Sequence, residues 1–343
     1  MNVNQPTFYK HFTLLFLVLI ISWFVNISLG SVYIPVDEIT TILFGGDPKK
    51  ESWQTIIIHY RFPKAITAIL VGSGLSISGL LMQTLFRNPL AGPFVLGISS
   101  GASLGVAFFI LGASLFGIQN LLENSQWSIV FASSLGAFLV LLAVITTAHK
   151  IKNTMSILII GLMFGSLTSS IISILSYFSS AEKLQQFQFW TFGSLGNLSW
   201  QEIQIFLFFY IIASILCFSI IKPLNSLLLG ENYAKSLGVN IKRSRNFILI
   251  ITCLFTGVIT AFVGPIAFIG LAVPHLVKLV FNTSNHKTLL PATALTGAII
   301  MLLCDCLAQL PNSEFTLPIN AVTSLFGAPI VIWLIIRKKK IYF

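Results

Sequence analysis

Charged side chains are scarce in this chain of 343 residues: Asp, Glu, Lys and Arg together make up 9%, against about a quarter in soluble proteins. Too few charges are present to clothe a water-soluble domain. Acids are the scarcer kind, ten against twenty Lys and Arg. No Gly-Lys dipeptide occurs, so the phosphate-cradling loop G-x-x-x-x-G-K-[ST] is absent and the chain does not hydrolyse ATP by that route. H-E-x-x-H and C-x-x-C are missing too, and the histidines (His11, His59, His149, His275, His286) are scattered over different segments, which excludes an evident catalytic cluster. Cys217, Cys253, Cys304 and Cys306 lie in apolar runs, where cysteine acts as a small hydrophobe. One C-x-C around Asp305 is a poor metal motif. Neither a cofactor nor a bound metal is expected.

What is present is hydrophobic: 55% of residues, with a mean hydropathy of +0.91. Runs near the roughly 20 residues that cross a bilayer recur at 12–29, 65–85, 94–117, 127–148, 156–178, 203–221, 246–263, 266–280, 289–307 and 319–336. The pattern predicts an all-α, polytopic membrane protein with about ten transmembrane helices, the eighth short. The first run lacks a small-residue cleavage pattern and is read as a retained span.

Orientation follows from the cytoplasmic excess of Lys and Arg. With the N-terminus inside, fifteen of the twenty basic residues fall inside, from Lys10 and Arg87 to the tail Arg337–Lys340, and nine of the ten acids fall outside. Both termini are therefore expected to be cytoplasmic. The net charge of +10 follows from insertion and anionic lipid, and no nucleic-acid partner is needed to explain it.

No soluble domain interrupts the spans, so residues 1–343 read as a single transmembrane domain. Its longest cytoplasmic polar stretch is 222–245, KPLNSLLLGENYAKSLGVNIKRSR. Residues 226–237 have the character of a short amphipathic helix stopped by Gly238; either a lipid-facing segment or a docking surface would fit. AGPFVLGI (91–98) is echoed by VGPIAFIGL (263–271), each with Gly-Pro entering an apolar segment. The helices before them would run in opposite directions, as in an inverted-repeat transporter. Arg87 and Asn88 mark a cytoplasmic turn, Pro89 and Pro93 disfavour continuing the helix, and Gly97 and Gly101 suit close helix packing. Asp305 is the one acid inside an apolar run, near its outer end.

RFPKAITAILVGSGLSISGLLMQTLFRNPLAGPFVLGISSGASLG (61–105) resembles the R-x-P-R, G-x-x-L-x-x-x-G-x-x-x-Q and RNPLA-x-P-x-x-LG signature of the FecCD family. These are permeases of ABC importers for iron–siderophore complexes, heme and vitamin B12. WTFGSLGNLSW (190–200), LLLGENYAKSLGVN (227–240), GPIAFIGLAVPHLVKL (264–279) and DCLAQLPNSEFTLPINAVTSLFGAP (305–329) are similar to further family segments in the same order.

The resemblance implies an inverted-repeat (type II) permease working as a homodimer or heterodimer in the cytoplasmic (inner) membrane, with the pathway between subunits. Two cytoplasmic ATP-binding subunits and an extracytoplasmic substrate-binding protein would be its partners. Gly230, Ala234, Leu237 and Gly238 fall on the family's ATPase-coupling helices, which decides the 222–245 loop for docking. Arg61 matches the first arginine that meets the binding protein, and Lys64 replaces the second. Gln83, Asn88, Pro89, Pro274, His275 and Asp305 fall on family motifs as pathway or structural residues. Gln309, Thr316 and Asn320 depart from the pattern, replacing arginine, glutamate and glycine, with Glu314 close to the lost glutamate. By the same resemblance Ser99, Ser100, Ser103 and the run GLMFGSLTSS would line or pack beside the pathway. An iron(III)–siderophore complex is the expected cargo, with heme or vitamin B12 the alternative and an ion-coupled carrier a more distant one.

Overall fold

A computed structural model describes residues 5–112, 126–151, 154–309 and 315–336. Lys152, Glu314 and the basic tail lie outside these residues. The described chain forms fifteen α-helices: α1 (Gln5–Ser28), α2 (Val36–Leu43), α3 (Glu51–Ile56), α4 (Phe62–Phe86), α5 (Ile98–Ile110), α6 (Gln126–Lys150), α7 (Thr154–Tyr177), α8 (Ala181–Phe192), α9 (Trp200–Ser219), α10 (Ile221–Leu228), α11 (Glu231–Ser236), α12 (Ile241–Val263), α13 (Ile269–Phe281), α14 (His286–Ala308) and α15 (Ile319–Ile336).

Each of the ten apolar runs falls at least in part on one of these helices, and among the described residues seven helices are long and apolar enough to cross a bilayer: α1, the continuous α3–α4 rod, α6, α7, α9, α12 and α14. The run at 94–117 gives a shorter helix than expected. Pro93–Leu96 form a 3-10 turn closed by Gly97 at φ 73°, so α5 starts only at Ile98 and has 13 residues. That is about 20 Å of helix, short of a hydrocarbon core of about 30 Å. Its echo, α13, also has 13 residues, and begins after Gly264 at φ 83° and Phe268 at φ 65°.

The polar stretch 30–64 is largely helical. A π-helical turn, Ile57–Arg61, joins α3 to α4. Pro63 explains it: proline offers no N–H and its ring crowds the carbonyl four residues back, so the turn widens. Before it, Lys49 Nζ lies 3.0 Å from Glu38 Oε1, and this hydrogen bond holds the Glu38 carboxyl below its ordinary pKa.

α4 is the centre of the bundle and is buried along nearly its whole length. It packs on α12, α13 and α14, while α12 packs on α6, α5 and α9. The long helix before the first Gly-Pro segment therefore packs on those around the second, and the long helix before the second packs on those around the first. Glycines set the crossings. A Cβ on Gly72 would meet the Gly297 carbonyl oxygen at 2.2 Å, and one on Gly136 would meet that of Gly101 at 2.1 Å. In lipid, where apolar burial drives little, such backbone-close packing holds helices together.

Candidate functional site

The 222–245 segment is two short helices followed by the first turn of α12, rather than one helix over 226–237. Gly230, at φ 102° and ψ 153°, separates α10 from α11. That conformation is essentially restricted to glycine. α11 ends in a Schellman motif: Gly238 N donates to Lys235 O at 2.9 Å and Val239 N to Ala234 O at 3.0 Å, with Gly238 at φ 81°. Ala234 is fully buried beneath α11, whereas Leu229, Tyr233 and Leu237 are 62%, 54% and 56% exposed. Tyr233 and Leu237, four residues apart on α11 and its C-cap, form an apolar stripe, and Leu229 precedes it at the end of α10. Beside it lies a concavity of about 850 Å³, lined in part by Arg87, Met155, Gly230, Tyr233 and Ser236.

The motif residues Gln83 and Pro274 meet at one crossing. Pro274 cannot bond the carbonyl of Gly270 in its own helix, and this oxygen points at Gly79, where a Cβ would sit 1.5 Å away. One turn along α4, Gln83 Nε2 donates to Leu271 O at 3.1 Å. The loop after α4 is built just as locally. Arg87 takes the left-handed conformation, Asn88 N donates to Gln83 O, and Asn88 Oδ1 accepts Leu90 N–H at 2.9 Å. Pro89 O lies 2.6 Å from His275 Nε2, so the buried His275 ties this loop to α13.

At the other end of α4 stand Arg61, Lys64 and Asp305. Arg61 is buried, and its guanidinium donates to Ile27 O at 2.9 Å, Ser28 O at 3.0 Å and Val32 O. It satisfies the carbonyls left over at the end of α1, so the charge expected to face a partner is turned inward. Lys64 Nζ lies 3.0 Å from Asp305 Oδ1, with side chains 20% and 2% exposed. Asp305 Oδ2 also accepts Asn26 Nδ2 at 2.8 Å and Gln309 Nε2 at 2.7 Å. One lysine thus balances one aspartate, and neutral Gln309 completes the acid's hydrogen bonds.

Two departures from the family pattern have partners here. Gln309 forms a bridge with Thr316, and Asn320 Oδ1 accepts the Ala267 N–H at 3.1 Å. Trp200 Nε1, from the WTFGSLGNLSW motif, donates to Ile58 O in the π turn at 3.1 Å.

Sequence reasoning passed over one cluster. His286, the first residue of α14, lies 2.8 Å from Thr84 Oγ1 through Nε2 and 2.8 Å from Asn225 Oδ1 through Nδ1. A histidine opening an apolar run was the available signal; nothing in the sequence pointed to Asn225 on α10 as its partner.

The FecCD transport family model matches residues 18–337. The chain belongs to the FecCD transport family. This FecCD chain is 34% identical to the vitamin B12 import system permease protein BtuC of Citrobacter koseri over 295 residues, 86% of this chain and 87% of that one. It is 35% identical to BtuC of Salmonella typhi over 296 residues, 86% and 88% of the two chains. A solved inward-facing structure described as of a metal-chelate type ABC transporter superposes with a TM-score of 0.83 at 30% identity, covering 96% of this chain and 99% of that one. PsaBC from Streptococcus pneumoniae, at 17% identity and a TM-score of 0.55, shares the fold over 86% of this chain and 94% of its own. The FecCD chain is thus a multi-pass membrane permease of the ABC-importer kind, a class whose ATPase is a separate subunit.

Proposed function

We propose that this FecCD chain is the membrane-spanning subunit of an importer for an iron(III)–siderophore complex in the cytoplasmic membrane, with ten spans and both termini cytoplasmic. It pairs with a second permease subunit, two cytoplasmic ATPase subunits and an extracytoplasmic binding protein. The observation that carries the reading is the α10–α11 loop. Two glycine-dependent breaks bound a short helix, and an apolar stripe of Tyr233 and Leu237 stands out from it, with Leu229 just before the first break, beside an open concavity. An exposed apolar stripe on a loop marks a protein contact, and a rigid helix there transmits ATPase closure as a rigid-body movement. Replacing Tyr233 with Cys and cross-linking to the co-expressed ATPase subunit tests it; no cross-linked product at any position along the stripe overturns it.

For the cargo, the half-open faces of α7 offer support. Met163, Leu167, Ser170 and Ile174 are exposed on it, a mainly apolar face that lipid or a bulky amphiphilic chelate would cover. Cobalamin is the second reading, favoured by the relatives named for vitamin B12 import. Uptake of labelled ferric siderophore and of labelled cobalamin, compared between the native host and a strain lacking this gene, separates them. Loss of ferric chelate uptake alone supports the first; loss of cobalamin uptake alone replaces it with the second.

A further inference from the structure

α4 and α14 meet at three levels in antiparallel register. Lys64 pairs with Asp305, Gly72 faces Gly297, and Thr84 meets His286. Lys64 and Thr84 are twenty residues apart on one uninterrupted helix, which is about 30 Å, the thickness of the hydrocarbon core. One fastening therefore sits at each membrane face, and the third sits between them, where the backbones touch. α4 has no proline after Pro63, while α14 carries Pro291 in its second turn, so α4 is the stiffer member of the pair.

Each end is fastened to a further element. At the far end Asp305 also holds Asn26 of α1. At the loop end the partner is α10. Asn225 Oδ1 accepts both the backbone N–H of His286 at 2.9 Å and its Nδ1 at 2.8 Å, while Asn225 Nδ2 donates to Asn285 Oδ1 at 3.1 Å. These contacts fix the orientation of the amide and place the ring proton on Nδ1. In the neutral ring Nε2 is then an acceptor, and the Thr84 hydroxyl is the donor that reaches it. The same hydroxyl lies 2.8 Å from Leu80 O in its own helix. With one proton and two acceptors, Thr84 either closes the link to His286 or turns back onto α4.

We propose that the α4–α14 pair is the rod that carries movement of the α10–α11 loop to the opposite membrane face, with Asn225, His286 and Thr84 as its loop-end clamp. The three are positioning residues: they hold helices, touch no cargo, and determine whether displacement of α10 is shared by α4 and α14. The proposal rests on the reading of α10–α11 as the ATPase contact. Interfaces that close in this way respond as packed, two-state units, so loosening one clamp uncouples the two faces without unfolding either.

The test uses the full complex with its ATPase subunits in lipid nanodiscs. A fluorophore on Tyr60→Cys, an exposed position in the π turn, reports the far face before and after trapping with ATP and vanadate. Thr84→Val keeps the shape and removes the hydroxyl; Thr84→Ser keeps the hydroxyl. With Thr84→Val, the ATP-dependent fluorescence shift should shrink about fivefold, the population change that one lost hydrogen bond brings. Thr84→Ser should restore it, while both variants retain bound ATPase and basal hydrolysis. Asn225→Leu should shrink the shift per bound ATPase as Thr84→Val does. A full shift in Thr84→Val, or a loss that Thr84→Ser fails to rescue, overturns the clamp. Failure of the ATPase to cross-link to the Tyr233 stripe in the parent protein would instead overturn the docking reading, and is scored separately.

Discussion

Gly79 faces Gly270 so closely that a methyl group on Gly79 would lie 1.5 Å from the carbonyl oxygen of Gly270. Pro274 cannot bond that oxygen, which faces α4, and Gln83 serves the next carbonyl, that of Leu271. A side chain at position 79 would push the helices apart and break the Gln83 bond as well. Gly79→Ala should therefore cost more than the roughly 1–3 kcal/mol of ordinary overpacking and abolish the monodisperse peak in detergent size-exclusion chromatography. Gly165→Ala is the control, since its added Cβ would meet only Ser100 Oγ at 3.6 Å; that variant should elute as the parent does.

Arg61 is bound to the end of α1, and this changes what its replacement should do. A lysine keeps the charge but lacks the planar fork that reaches Ile27, Ser28 and Val32 together. Arg61→Lys should lower the thermal unfolding midpoint in micelles, at a cost of about 1.5–3 kcal/mol for hydrogen bonds to a charged group. ATPase stimulation by the binding protein, measured per folded complex, should be unchanged. Selective loss of stimulation with an unaltered midpoint would return Arg61 to the docking surface.

How legible the molecule was depends on the range of the contact. Apolar runs located the helices because length and hydropathy are local, and the left-handed Gly238 was readable as a helix stop for the same reason. The break at Gly230 was not, since LLLGENYAKSL carries an unbroken amphipathic pattern across it. The motif residues were legible as a set, yet their partnerships were not: nothing local joins Gln83 to Leu271 or Lys64 to Asp305. Arg61 shows the limit most clearly. A sequence shows a charge at a helix start, and only the fold shows that the end of α1 lies beside it with carbonyls to spare.

The Lys64–Asp305 pair joins α4 to α14 with the acid almost fully buried. Removing one partner of a buried pair typically costs about 3–5 kcal/mol, and the partial exposure of Lys64 should bring the cost toward the low end. Lys64→Met leaves a buried carboxylate with only Asn26 and Gln309 as donors, and Asp305→Asn leaves an unpaired ammonium. Both should lower the midpoint followed by tryptophan fluorescence. The double variant should recover most of the loss, because neither uncompensated charge remains. Additive losses in the double variant would show that the two groups act independently.

Gly230 and Gly238 both have positive φ, but they should not tolerate substitution equally. Gly238, at φ 81°, has nothing within 4 Å of an added Cβ. Only the left-handed conformation restricts it, and asparagine adopts that conformation readily. Gly238→Asn should keep the ATPase bound. Gly238→Val, β-branched, should cost about 1–2 kcal/mol of the local backbone conformation and weaken ATPase co-purification roughly tenfold, while membrane insertion and the midpoint stay unchanged. Gly230 sits in a region that side chains scarcely enter, so even Gly230→Ala should cost about 1–3 kcal/mol and release the ATPase. Equal tolerance of alanine at Gly230 and asparagine at Gly238 would show that the loop adapts to its partner, and the rigid-lever account of α10–α11 would have to be abandoned.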